Sequence, residues 1–353
     1  MSELFHAGKL DATIGFGKAC LFYLLLVGIL DSRKKLAIFL QSFAGILLFI
    51  SLLIILNHHG VLAFDTGYAI VPSAGIESVR VGALGWVNFY PNDTAALIVL
   101  GILTSLHYTT SARPYPLRAL WLAAAVAMIY LARLTDSRGG FLALLIGLAV
   151  YVVARWGKKG VKLGLALLPL VAAQVATERM AGVGSAITED TGQSRIQFWC
   201  DGLLFFKHHP ILGIGPGGFM AHIGRAAHNT FIQAFAELGV VGGTLFLGAF
   251  AYGWWANYRL AKTFSAASSE THPVDPTIAL VLSLLSAYGI AILGLNHIFA
   301  THTLLVLGLA TVVPALHKAR NLLPITTLLG RAFLLSTVFL ISSQITARLL
   351  VRW

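Results

Sequence analysis

Charge is what this chain most conspicuously lacks. Only 11% of its 353 residues are Asp, Glu, Lys or Arg, and just 14 of them are acidic. A soluble domain carries about 25% charged residues. Its core has no room for a chain that is 57% hydrophobic, with a mean hydropathy of +0.81. A soluble globular protein is therefore excluded. Cysteine is nearly missing too. Cys20 and Cys200 offer neither zinc-ligand spacing nor a disulfide framework, so both read as packing residues. There is no Asp-x-Asp pair, no low-complexity tract and no repeat of fixed period. The missing repeat removes the internal symmetry on which many transporters are built.

What the chain has instead is apolar runs near the length of a bilayer crossing. They predict about ten helical spans, near 15–30, 36–56, 92–110, 117–134, 140–156, 161–177, 229–256, 277–296, 299–316 and 331–347. The expected fold is all-α: a polytopic membrane helix bundle, one membrane domain over residues 1–353, with a long extracytoplasmic loop at 178–228 that carries short interfacial helices. The first run is followed by "DSRKK" and shows no small-residue cleavage site, so it reads as a retained span.

The connecting segments alternate between two faces. One holds "DSRKK", "ARPYPLR", "RWGKKGVK", "YRLAK", "HKAR" and Arg331, with 14 of the 25 Lys and Arg. With the 264–276 segment, that whole face carries only Asp31, Glu270 and Asp275 of the acids. The positive-inside bias assigns that face to the cytoplasm. The 57–91 loop, the 133–138 turn and the 178–228 loop are then extracytoplasmic, and periplasmic in a cell with an outer membrane. This asymmetry accounts for the net charge of +11 without any nucleic acid partner.

Unusually long loops tend to carry function. In "SRIQFWCDGLLFFKHHP" (194–210), Trp199, Leu203 and Phe206 fall on one helical face. Such a helix either lies in the membrane interface or packs on the bundle top. Next, Gly213-Ile214-Gly215-Pro216-Gly217-Gly218 satisfies G-x-G-x-x-G, with Glu237 downstream. A dinucleotide fingerprint needs a preceding strand and a βαβ frame. Here an aromatic segment precedes, Pro216 interrupts, and Glu237 lies in an apolar helix start, so the glycines read as a tight turn.

After the turn, "AAHNTFIQAFAELG" re-enters the bilayer. Asn229 is a good N-cap, and His228 is either an interfacial residue or a catalyst. Arg195 and Arg225 share its loop, and Arg138 and Arg80 lie on the same face. Arg138, in "LTDSRGGFLALLIGLAV", has a plain alternative in snorkelling or in pairing with Asp136. Taken together, these guanidinium groups suit an outward-facing site for phosphate oxygens.

Four segments in order resemble the O-antigen ligase and O-antigen polymerase superfamily. They are "VRVGALGWVNFYPNDTAA", "DSRGGFLALLIGLAV", "SRIQFWCDGLLFFKHHPILGIGPGGF" and "AHNTFIQAFAELGVVG". The resemblance implies a metal-independent membrane glycosyltransferase, without cofactor, at the outer face of the bacterial inner membrane. Its donor would be an undecaprenyl-diphosphate-linked glycan, and its acceptor lipid A core or a second lipid-linked glycan. The same resemblance implies that Arg138 and Arg195 hold the donor diphosphate and that His228 acts at the reacting centre. Arg80, Arg225 and Asn229 are the further candidates for substrate binding. A protein O-oligosaccharyltransferase shares the donor chemistry and is an alternative. A small-solute transporter is a more distant one, and His107, His297 and His302 near span ends are its best support.

Overall fold

The computed structural model describes residues 2–63, 66–73, 76–84, 90–111, 114–166, 169, 192–267, 275–318 and 325–350. In chain order its elements are α1 (Ser2–Ile29), α2 (Arg33–His58), β1 (Thr66–Ser73), β2 (Ile76–Leu84), α3 (Pro91–Ser111), α4 (Tyr115–Leu134) and α5 (Arg138–Ala166). They continue with α6 (Gly192–His208), α7 (Gly218–Ile223), α8 (Thr230–Ala267), α9 (Pro276–Ala291), α10 (Thr301–Leu316) and α11 (Ile325–Leu350). Among the described residues six helices are long and apolar enough to cross a membrane, and Ile14–Ile29, Pro276–Ala291 and Thr301–Leu316 are shorter apolar helices. The protein is a polytopic helical membrane protein. These helices coincide with the expected spans except 161–177, whose first residues extend α5 and whose remainder lies mostly outside the described residues. Spans five and six are divided where expected: Gly157, at φ +54° and ψ −126°, is a kink at which α5 joins two helices.

Among the described residues, strands form at one place. Residues expected to form a loop fold as an antiparallel hairpin, with Ala69 opposite Arg80 and a bulge between Thr66 and Tyr68. The β-branched Ile70, Val71, Val79 and Val81 favour such strands.

Contacts divide the chain into two compact units. One comprises Ile29–Ala186 and Asn257–Ala291. At its centre α3 packs against α2, α4, α5 and α9, so Leu100, Ile102 and Leu103 are buried. Gly147 of α5 lets Leu103 and Ala287 close in, since a side chain there would meet both. Its carbonyl accepts a 2.8 Å hydrogen bond from Ser283. His107 is buried and hydrogen-bonds through Nδ1 to the Tyr151 hydroxyl at 3.3 Å. Near the start of α2, Lys35 bonds Asp31 at 2.7 Å and holds that carboxyl below its ordinary range.

The other unit comprises Met1–Gly28, Ile187–Ala256 and Ile292–Trp353. Phe231 of α8 meets Phe246, Phe250 and, on α11, Phe339 edge-on at 5.7 to 5.9 Å, and Phe246 and Phe250 lie tilted at 5.5 Å. The main irregularity of this unit is in α8, where Gly239 has φ +63° and ψ −164°. That conformation is open essentially to glycine alone. A side chain at Gly239 would also run into the backbone of Ile211.

Gly239→Ala therefore combines backbone strain with a clash that backbone atoms cannot avoid, and it lowers thermal stability in detergent. Gly289→Ala, in α9 with open space around it, removes a flexible residue from a helix and changes stability by about +1 kcal/mol at most. Thermal unfolding of the two variants measures the difference, and equal melting temperatures would contradict it.

Candidate functional site

The break in α8 frees backbone groups, and the glycine turn satisfies them. The Ile214 amide donates to the Ala236 carbonyl at 3.0 Å and the Gly215 amide to the Glu237 carbonyl at 2.9 Å. In return, the Val240 amide donates to the Pro210 carbonyl at 2.7 Å. Inside an apolar bundle each such group would be costly if unmade. Gly213, Gly215 and Gly217 all have positive φ, at +70°, +90° and +73°. A side chain on Gly213 would strike the Glu237 backbone. The glycine pattern is thus explained by a turn docked backbone to backbone into a broken helix. The element preceding it is α6, a helix and not a strand.

Glu237 has a structural partner set of its own. Its carboxylate accepts from the Gly217 amide at 3.0 Å and the Phe219 amide at 3.3 Å, and the residue is buried. In the sequence Glu237 stands out only as the acid a dinucleotide fingerprint would need. An ionisable residue in an apolar helix was the available signal.

The helix α6 packs on α8. Gly202 brings it against Ile232, Leu203 is buried, and the Phe206 ring lies 5.7 Å from Phe235 edge-on. The aromatic stripe therefore serves packing on the bundle. Burial raises the Asp201 carboxyl above its ordinary value. Burial, followed by the neighbouring Asp201 charge, raises the Cys200 thiol. A thiol so raised is protonated at neutral pH and a poor nucleophile.

Arg195 stands half-buried in the first turn of α6. Phe198, three residues on, shares its helix face. The His228 ring lies against Phe198 with centroids 6.4 Å apart. Arg195 and His228 thus belong to the same unit, with Phe198 of the Arg195 helix face set against the histidine ring. His228 has a left-handed φ of +50°, uncommon for any residue but glycine, although His adopts it more readily than most. The following residue, Asn229, is the N-cap of α8: its Oδ1 accepts from the Phe231 and Ile232 amides at 3.1 and 3.2 Å. Thr230 ties the helix start to the 292–300 segment, donating its hydroxyl to the Leu295 carbonyl and accepting from the His297 amide. His297 and His302 hydrogen-bond each other at 3.0 Å. Arg225 is exposed just before this helix start.

The remaining candidates belong to the other unit. Arg138 is exposed at the first residue of α5, where the Ser137 hydroxyl caps the helix by accepting from the Gly140 amide at 3.2 Å. Asp136 pairs with Arg133 at 3.4 Å. Arg80 lies on β2 opposite Ala69. Among the described residues, no group of three or more His, Cys, Asp or Glu is arranged to hold a metal.

Residues 123–247 match the family model described as O-antigen ligase. The matched stretch contains Arg138, Arg195, the glycine turn, Arg225, His228, Asn229 and Glu237. No curated protein matches the chain.

The capping geometry yields a test. Asn229→Ala removes the acceptor for two buried amides and lowers stability by about 1 kcal/mol. Asn229→Asp keeps that acceptor and holds stability. Unfolding in detergent separates the two, and an Asp variant as unstable as the Ala variant would contradict the cap.

Proposed function

We propose that this chain, similar to the O-antigen ligase family over residues 123–247, transfers a glycan from undecaprenyl diphosphate to an acceptor at the outer face of the inner membrane. The acceptor is lipid A core in a ligase or a second lipid-linked glycan in a polymerase. The observation that carries this reading is the meeting of His228 with the Arg195 face of α6 through Phe198. A base and a fixed cation at one site are what this transfer requires.

The chemistry divides cleanly between them. The acceptor hydroxyl attacks the anomeric carbon and gives its proton to the His228 imidazole. The bond from that carbon to the diphosphate oxygen breaks, and the leaving lipid diphosphate carries away the electron pair. Negative charge thus grows on phosphate oxygens, where arginines aimed at them stabilise the transition state. Arg195 takes that role in the unit that holds His228, and the resemblance implies the same role for Arg138. Arg80 and Arg225 are the further candidates for donor binding, while Asn229 serves as the cap of α8. Imidazole titrates near neutrality, so it suits the proton transfer.

Purified protein supplied with lipid-diphosphate glycan allows donor binding and turnover to be measured separately. His228→Ala keeps donor binding and slows transfer by roughly 10²- to 10⁴-fold, the usual worth of a positioned base. Arg195→Ala also weakens donor binding, by about 1.5 to 3 kcal/mol for a lost charge-assisted contact. Full turnover in His228→Ala would overturn the reading. Offering lipid A core, lipid-linked glycan or a protein acceptor in turn decides the branch, including the O-oligosaccharyltransferase alternative.

A further inference from the structure

We infer that Gln233 and Glu237 are positioning residues that hold the backbone of His228 in its left-handed turn, an inference that rests on His228 acting as the base. A left-handed residue other than glycine costs about 1 to 2 kcal/mol, so its surroundings must hold it. Downstream, the Asn229 cap and the Thr230 amide, bonded to the Ile292 carbonyl at 3.0 Å, fix the chain. Upstream, the amide of fully buried Ala227 donates to Gln233 Oε1 at 3.1 Å. His228 is thus clamped between two buried sets of hydrogen bonds.

The upstream tie does not stop at Gln233. Its Nε2 donates to Glu237 Oε1 at 2.9 Å, and Glu237 accepts from the Gly217 and Phe219 amides. Gln233 and Glu237 are four residues apart and so share one face of α8. They are 2% and 1% exposed. The Gln233 amide has one acceptor end and one donor end, and each is engaged, so its orientation is fixed. Three N–H groups converge on Glu237, which suits a carboxylate because it only accepts. The glycine turn, α7 and the residue before His228 are therefore joined through two side chains.

This arrangement makes the pair separable from plain packing. In Glu237→Gln, either orientation of the new amide sets an N–H against a backbone N–H. In the swap Gln233→Glu with Glu237→Gln, the new carboxylate accepts from Ala227 and from the new amide. The new amide's oxygen accepts from Gly217, and only the Phe219 amide loses its acceptor. Gln233→Met removes the Ala227 tie while leaving Glu237 its two backbone donors.

The experiment measures kcat, donor affinity and thermal stability of the full chain in detergent with lipid-diphosphate glycan. Glu237→Gln and Gln233→Met lower kcat by about 10²-fold, the effect of a reacting group displaced by about 1 Å, with donor affinity unchanged. The swap recovers most of that kcat. Ser283→Ala, which breaks a buried hydrogen bond in the other unit, loses stability without losing kcat. Should Glu237→Gln fail to fold, Gln233→Met decides alone. Unchanged kcat in the folded variants overturns the inference, as does a loss shared by donor affinity and unrelieved by the swap. His228→Ala is measured alongside: if it keeps full turnover, the catalytic reading itself has failed and not merely its positioning.

Discussion

The unit that holds His228 depends on one exchange of backbone hydrogen bonds. A helix broken at Gly239 leaves carbonyls at Ala236 and Glu237 and an amide at Val240 without helical partners. Water is not at hand in an apolar bundle, so these groups must find partners in the protein. The 210–215 segment supplies them. It comes close enough only because Gly213 and Gly239 have no side chains where the two backbones meet. The pattern that resembles a nucleotide fingerprint is therefore a docking surface for main chain on main chain.

From that joint the rest of the site follows outward. The turn delivers the Gly217 and Phe219 amides to Glu237, and α8 delivers Gln233 to Ala227. Packing of α6 on α8 at Gly202 carries Phe198 to His228 and Arg195 to the same face. The hydrogen bonds through Gln233 and Glu237 are 2.9 to 3.3 Å long, which limits how far the backbone before the histidine can wander. The requirement is one of preorganisation: a proton acceptor misplaced by an ångström loses much of its advantage.

Much of this was legible in the sequence, and the rest was hidden for physical reasons. Bilayer thickness imposes run lengths, so the spans could be read from hydropathy, and the kink at Gly157 falls where two of those spans were separated. Asn229 announced a cap because its chemistry is local, and the cap is present. The stripe of Trp199, Leu203 and Phe206 announced a helix but not its partner, because amphipathicity is the same against lipid and against α8. The hairpin at 66–84 was passed over because its short β-branched runs lie between strong membrane signals. Glu237 and Gly239 were the least legible, since their partners lie many residues upstream and exist only once the turn has docked.

In the proposed transfer, arginines take the negative charge of the leaving diphosphate and a histidine takes the proton, with no ion between them. Transfer by the purified protein in EDTA tests this directly. Product formation at the rate seen without chelator is the predicted result. Activity abolished by chelation and restored by magnesium or manganese would contradict it.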